Sequence, residues 1–478
     1  MDCHPLVLLL ITLLHISPLL SQSNPLIQRL NPDKEQYQRY TQALEAIFGM
    51  GIRLQVLLDK HDSPNFVVSP LSTVVVIGQL MLGAEGEFQD QLYDLLSLPK
   101  PKVVPQMIYQ YGKGGNTSSS LRYAEFHLQL SGLVKALQKR RGDELFILDQ
   151  DNALFYSVDI HLKDQFQRYM EKFYETEIKS LDFRQDTKSI INHWASSHTN
   201  GIINNILSTS PPPSTTSILL NSIYFKAEWD QPFSDQFNRV DKFYVSENRT
   251  VDTTYMLGTL EQIPFVEMND FRLLSLPYKD KELGMYILYP TQNHEHKYNM
   301  KKFVQKLRPE LLYQALLGLR GHDVIVKIPK LSLSNTLSIL EPLQEYAQFK
   351  KEQQAKATKA RISFRFNSPR LDDGAEIIKE IQNELNKAKN FTVPRSYKDI
   401  ILTGAADESK LRVSNIVQQM VFSINEKGTE AAAVTAGVTD YIGGQKVVVL
   451  NRPFCFFIRH EATSATIFWG TISDPSKS

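Results

Sequence analysis

"GTEAAAVTAGVTDYIGGQKVVV", Gly428–Val449, is the stretch on which the reading of this chain turns. It opens on a glycine, passes through three consecutive alanines and meets no bulky ring before Tyr441. No proline falls between Gly428 and Arg452. Taken alone, a segment rich in Gly, Ala and Thr is a flexible loop. Taken as a strand, it places Thr429, Ala431, Ala433 and Thr435 on one face. Those side chains are small enough to enter a packed core at low cost. Glu430 falls on the other face, where it reaches water. Gly428 supplies the backbone freedom of a hinge.

The rest of the chain is that of a large globular protein. It has 478 residues, 42% apolar and 22% charged, with a formal net charge of +1. That balance supports a sizeable core and gives no global case for nucleic acid. "LVLLLITLLHISPLL", Leu6–Leu20, is shorter than the roughly twenty residues a spanning helix needs, and "SQSNP" follows it. It reads as a secretory signal over residues 1–22, a membrane anchor being the alternative. The mature chain is then expected outside the cell, soluble and monomeric. Three sequons agree with secretion: Asn116-Thr-Ser, Asn248-Arg-Thr and Asn390-Phe-Thr. Of the two cysteines, Cys3 lies in the signal. Cys455, inside "PFCFFI", is expected to be buried, with no intrachain disulfide.

Periodicity places helices early and strands late. Helices are expected over Tyr40–Lys60, from Ser69-Pro70 to Gly83, and over Phe88–Leu96, Phe126–Leu137, Ile160–Tyr174 and Asp186–His198. "LFILDQDNALFY" reads as strand, and "SILLNSIYFKAEW" as the central strand of a large sheet covered on both faces. "FRLLSLPY", "LGMYILYP", "DVIVKIPKLSL", "VVVLNRPFCFFIRH" and "SATIFWGTIS" add further strands. No βαβ rhythm occurs, so the expected class is α+β. Residues 345–396 stand apart. Between Glu345 and Arg370 there are seven Lys or Arg against two Glu. A charged helix striped by Ile377, Ile381, Leu385 and Ala388 follows. This is an insertion within one domain, either a binding element or a tolerated surface excursion.

No catalytic signature is present: no G-x-S-x-G elbow, G-x-G-x-x-G, phosphate loop or H-E-x-x-H. A secreted hydrolase is therefore a reading without a nucleophile, and neither an enzyme nor a bound metal or cofactor is expected. Lys135 and Lys139 share a helical face, and Arg140 and Arg141 follow them. The patch would suit a sulfated polysaccharide (glycosaminoglycan). The plainer reading is a solvated basic helix end.

Several segments, in one order, resemble the serpin family of serine protease inhibitors. "INEKGTEAAAVTAG" resembles its hinge, and "NRPFCFFIRHEATSATIFWGTISDP" its C-terminal signature. "NFVVSPLSTVVVIGQLMLGAEG", "INHWASSHTNGIINNI", "LLNSIYFKAEWDQPF" and "KIPKLSLSNTLSILEPLQ" resemble its buried second helix, the helix beside its main sheet, its central strand and a later strand. The resemblance implies one serpin-like domain over residues 23–478. Its N-terminal helices would pack on a large mixed sheet beside smaller sheets, with an exposed reactive loop at 428–449. An extracellular serine protease would cleave that loop, and insertion of the cut segment would trap the acyl-enzyme. A carrier or storage protein that does not inhibit is the alternative within the fold.

Counting from the hinge, the resemblance puts the reactive bond at Ile442–Gly443, with Tyr441 and Lys446 as alternative sites. The hinge would comprise Glu426, Gly428, Thr429, Glu430, Ala431, Ala432 and Ala433. Control of sheet opening would fall to Ser69, Ser72, Asn192, Trp229 and Gln418. Gln418 stands where the family usually has histidine.

Overall fold

The computed structural model describes residues 39–58, 65–98, 124–138, 146–199, 201, 204–279, 281–307, 309–338, 400–406, 411–429 and 445–477. The expected signal at residues 1–22, the loop around Asn116, most of the expected reactive loop at 428–449 and the expected insertion at 345–396 lie outside the described residues.

The helices are α1 (Thr41–Leu58), α2 (Pro70–Gly83), α3 (Gly86–Leu95), α4 (Ala124–Gln138), α5 (Asp164–Tyr174), α6 (Lys188–His198), α7 (Met300–Lys306) and α8 (Pro309–Gly318). The strands of one sheet are β2 (Phe146–Ser157), β3 (Glu177–Leu181), β4 (Ser217–Glu228), β10 (Leu331–Ser338), β11 (Ile400–Leu402), β12 (Leu411–Ile424) and β13 (Gly428–Thr429). Those of the other are β1 (Asn65–Val68), β5 (Arg239–Ser246), β6 (Arg249–Glu267), β7 (Phe271–Pro277), β8 (Leu283–Pro290), β9 (Arg320–Pro329), β14 (Lys446–Val449), β15 (Phe454–His460) and β16 (Thr466–Ile472).

The first sheet runs β10-β12-β4-β2-β3, with β11 beside β12 and β13 beside β4. It is mixed: β12–β4 and β2–β3 are parallel, and its other pairs are antiparallel. β4 is central because its side chains are apolar on both faces. Leu219, Ile223, Phe225 and Ala227 belong to the main core. Ile218 and Leu220 pack in a second cluster with Phe155 and with Ile191 and Trp194 of α6. α2 is buried along its whole length, as its unbroken apolar run requires. It starts where the Ser69 side chain accepts from Ser72 N at 3.1 Å, with Pro70 in the first turn.

Four expectations change. The helix expected from Ile160 begins at Asp164, because Leu162 bridges Ala406 and Lys163 N donates to Ala405 O at 2.8 Å. "TEIKSLDF", where no strand was expected, supplies β3. "DVIVKIPKLSL" divides at Pro329–Lys330 into β9 and β10, which belong to different sheets. β5 and β6 were not expected at all.

The insertion has a defined base. Ser338 pairs with Val417 and Ile400 with Val413, both on the same edge of β12. Residues 339–399 therefore leave and return within roughly 13 Å along that strand.

Candidate functional site: the sheet seam and its hinge

β12 and β4 pair in parallel from Val413–Ser217 up to Val421–Tyr224. Above that point they part and the chain reverses. Asn425 Oδ1 accepts from Lys427 N at 3.0 Å and from Gly428 N at 3.2 Å, closing a tight turn. Gly428 then faces Glu228 and Thr429 faces Ala227, antiparallel to β4. The first two residues of the small-residue stretch are thus already laid against the top of the central strand. Gly428 has φ +144°, and a Cβ there would stand 2.1 Å from Ala227 O and 2.6 Å from Glu228 Cα. Only glycine fits this backbone at this distance.

Side chains brace the turn. Trp229 is buried, stacks on Tyr278 with ring centroids 4.6 Å apart, and donates from Nε1 to Asn425 O at 3.0 Å. Trp229 N donates to Lys427 O at 2.9 Å. Glu426 meets Lys330 Nζ at 2.9 and 3.0 Å, and Asn238 Nδ2 donates to the same carboxylate. Burial opposes ionisation of Glu426, but the bonds from Asn238, its own backbone and Lys330 outweigh it. The carboxyl is held below its usual range.

Halfway down the seam a buried polar chain crosses the sheet at one level. Gln418 Nε2 donates to Asn221 Oδ1 at 3.1 Å, and Asn221 Nδ2 to Asn152 Oδ1 at 3.0 Å. Asn152 Nδ2 donates to Tyr174 O at 3.1 Å, and the Tyr174 hydroxyl meets His127 Nδ1 on α4. Gln418 faces Asn221, and Asn221 faces Asn152, in the strand registers. Gln418 Oε1 and Ser222 Oγ on the seam strands, and both amide atoms of Gln150 on β2, are buried without a partner among the described residues. Each such group costs about 1–3 kcal/mol. The shut sheet is therefore not fully satisfied.

The expected site residues divide accordingly. Glu426, Gly428, Thr429, Trp229 and Gln418 meet at the seam. Ser69 and Ser72 lie on the buried helix side, where Ser69 Oγ donates to Ile467 O at 2.8 Å. No described bond ties either serine to Gln418. Asn192 is not brought to the seam. It holds the loop after α6, with Leu207 N donating to Asn192 Oδ1 at 2.9 Å and Asn192 Nδ2 to Leu207 O at 3.1 Å. The asparagine that meets Gln418 is Asn221. It stands in the quoted strand "SILLNSIYF" as a lone amide within an apolar run, which was the available signal.

Lys446 is exposed in β14 and pairs with Val324, so a protease would have to peel that strand end away to reach it. Lys135 is half-exposed and pairs with Glu175 at 3.3 Å. Asn248 is exposed in the two-residue turn between β5 and β6. Cys455 is buried. Glu430, Ala431, Ala432, Ala433, Tyr441, Ile442, Gly443, Lys139, Arg140, Arg141, Asn116 and Asn390 lie outside the described residues.

The large mixed sheet with helices packed on it is the fold the resemblance implied. The chain belongs to the serpin family: the family profile, described as serpin (serine protease inhibitor), matches residues 47–475. It is 24% identical over 429 residues to the leukocyte elastase inhibitor of Sus scrofa, covering 88% of this chain and 96% of that one. It is 26% identical over 438 residues to serpin A3-7 of Bos taurus, covering 90% and 87%. Among solved structures it is similar to human glycosylated kallistatin, with TM-score 0.67, 21% identity and coverage of 91% and 99%. It is also similar to human thyroxine-binding globulin complexed with thyroxine, with TM-score 0.65, 20% identity and coverage of 92% and 99%. These two likenesses show the fold, α+β with helices packed on a large mixed sheet.

Proposed function

We propose that this serpin is a secreted suicide inhibitor of an extracellular serine protease. The observation that carries the reading is the pairing of Gly428 with Glu228 and Thr429 with Ala227. Continued without a bulge, that register lays Ala431, Ala433 and Thr435 opposite Phe225, Ile223 and Asn221. This is the face of β4 that turns to the main core, where only small residues enter cheaply. Glu430 falls opposite Lys226 on the other face, a favourable cross-strand pair. Thr435 comes between Gln418 and Asn221, and its hydroxyl can replace the bond between them.

The chemistry is the protease's own. Its serine oxygen attacks the carbonyl carbon of Ile442, the peptide bond to Gly443 breaks, and the new amine leaves with a proton. An ester joins Ile442 to the enzyme. The freed strand then enters between β12 and β4 before water reaches the ester. Ladder bonds on both sides contribute on the order of 10–20 kcal/mol, at about 1 kcal/mol per bond. That strains the tethered enzyme, and deacylation stalls. Ile442 is branched and uncharged, which suits an elastase-like pocket and not a trypsin-like one. Secretion rests on the Leu6–Leu20 segment and on the sequon exposed at Asn248. A sulfated polysaccharide at Lys135 and the three basic residues after it would be an accessory partner.

The second reading, a carrier that does not inhibit, has the firmer backing from the comparisons. One solved relative is held with its hormone, and the likeness to it equals the likeness to kallistatin within 0.02 in TM-score. The unobstructed hinge of this chain is what puts inhibition first. Incubation with elastase-, chymotrypsin- and trypsin-like enzymes separates the readings. An inhibitor gives an SDS-stable complex and a new N-terminus at Gly443. Turnover of the loop by every enzyme, with no complex, leaves the carrier.

A further inference from the structure

Arg452 lies in the turn between β14 and β15, and no carboxylate among the described residues pairs with it. Its Nη2 donates to Pro290 O at 2.7 Å. Its Nε is buried with no hydrogen-bond partner among the described residues. The guanidinium sits beside Tyr289, with Cζ 5.8 Å from the ring centroid. Tyr289 is buried as well, and its hydroxyl meets no partner of good geometry among the described residues. Arg272 stands opposite Tyr289 in the β7–β8 register. Nearby acids are engaged elsewhere. Glu267 takes both Nε and Nη2 of Arg272, at 2.7 and 2.6 Å. Glu295 pairs with Lys306 and His296. Asp270 takes part through its backbone oxygen, which accepts from Thr291 N at 3.0 Å. Lys297 adds a further cation, its Nζ 5.4 Å from the centre of the Tyr298 ring and bonded to Gln292 O at 3.0 Å. Burial holds the Arg452 pKa below its usual range; Tyr289 opposes that and Arg272 adds to it.

We propose that this corner binds an oxyanion of the phosphate or sulfate class, with Arg452 as its anchor and the Tyr289 hydroxyl as a second donor. A guanidinium keeps its charge in any protein setting. Taken partly out of water, it is costly unless an opposite charge meets it. Here the protein supplies a backbone oxygen and an aromatic ring, and leaves Nε and the Tyr289 hydroxyl unused. A carboxylate offers two oxygens, whereas a tetrahedral oxyanion offers three or four. It can accept from the edge of Arg452 and from Tyr289 together. Its double charge also suits a place where Lys297 stands close by. Arg452, Lys297 and Tyr298 are half-buried, which leaves an approach from solvent. The bound ion would tie the turn after β14 to the end of β8, because Arg452 already holds Pro290 O. The site is independent of the loop and of the inhibitor reading.

The test is the melting temperature of the full secreted chain near neutral pH in sodium chloride. Inorganic sulfate, inorganic phosphate or glycerol phosphate is added up to about 20 mM at constant ionic strength. Wild type should gain a few degrees, with the gain saturating as a site fills rather than rising in proportion to salt. R452Q should lose the saturable gain. It should melt close to wild type in chloride alone, because it removes a charge that has no partner there. Y289F keeps the ring and should shrink the gain, so it serves also if R452Q fails to fold. A gain with glycerol phosphate equal to that with phosphate means that the site takes a monoester. A gain with the inorganic ions alone means that it takes the free ion. Either upholds the proposal. No saturable gain in wild type overturns it, as does a full gain in Y289F together with either a full gain or no folded protein in R452Q.

Discussion

Gln418 and Asn221 face each other across the parallel seam of β12 and β4, with Gln418 Nε2 donating to Asn221 Oδ1 at 3.1 Å. This bond must break for any strand to enter between them. It also begins the chain that reaches α4 through Asn152, Tyr174 and His127. Replacing Asn221 with alanine strands the amides of both Gln418 and Asn152. At about 1–3 kcal/mol for each buried group left unpaired, N221A should lose about 2–6 kcal/mol of stability in urea unfolding. It should also insert its loop spontaneously on storage. A midpoint equal to wild type would show that the chain is not a clasp.

His127 gives the molecule an acid sensitivity. Its ring is buried, and burial pushes its pKa from 6.5 down to about 3. Burial also raises the Tyr174 hydroxyl well above its usual range, so the pair is neutral when folded. The unfolded chain takes up the proton near pH 6.5, while the folded chain resists until about pH 3. The stability this imidazole contributes is therefore whole above pH 6.5. It is lost as pH falls towards 3, at up to about 1.4 kcal/mol per unit. In H127Q, stability measured from pH 7 to pH 4 should fall less steeply than in wild type. Parallel curves would contradict this.

Glu426 anchors the turn through Lys330, 96 residues away in sequence. E426K removes the pair and sets two ammonium groups together. Because Lys330 is half-exposed, the cost should be about 1–3 kcal/mol. The Asn425–Gly428 turn should loosen and the top of the seam open. The expected sign is self-association on mild heating, read by native gel. Wild-type behaviour of E426K would mean that the turn holds without its ion pair.

Gly428 is fixed by both φ and space. G428A forces a Cβ into Ala227 O and strains the backbone by about 1–2 kcal/mol. The hinge should leave its seat on β4. Insertion should then slow relative to deacylation, so several molecules of G428A should be cleaved for each enzyme trapped. An unchanged stoichiometry would remove the hinge from the trapping step.

What was legible from sequence was local. The Gly428 hinge, the alternation after it, the capped apolar run of α2 and the apolar β4 each declare themselves within a dozen residues. What was hidden depends on partners far along the chain. Asn221 reads as an interruption in an apolar strand until Gln418 and Asn152 flank it. Lys330 reads as a strand-end lysine until the fold sets it on Glu426. His127 follows Phe126 in an amphipathic helix, and nothing local reveals that Tyr174 covers it. β5 escaped because Phe243 alone of its eight residues is buried, so no period of two marks it. Asn192 was misplaced because its partner, the backbone of Leu207, lies in the loop after the helix and carries no side-chain signal.

The most direct measurement is the melting temperature of the purified protein before and after a single cut in the loop near Ile442. Insertion between β12 and β4 would add a full strand to the sheet beside the unpaired Gln418 Oε1, so the nicked form should melt many degrees higher than the intact one. Equal melting temperatures, with the severed segment still open to added protease, would contradict insertion.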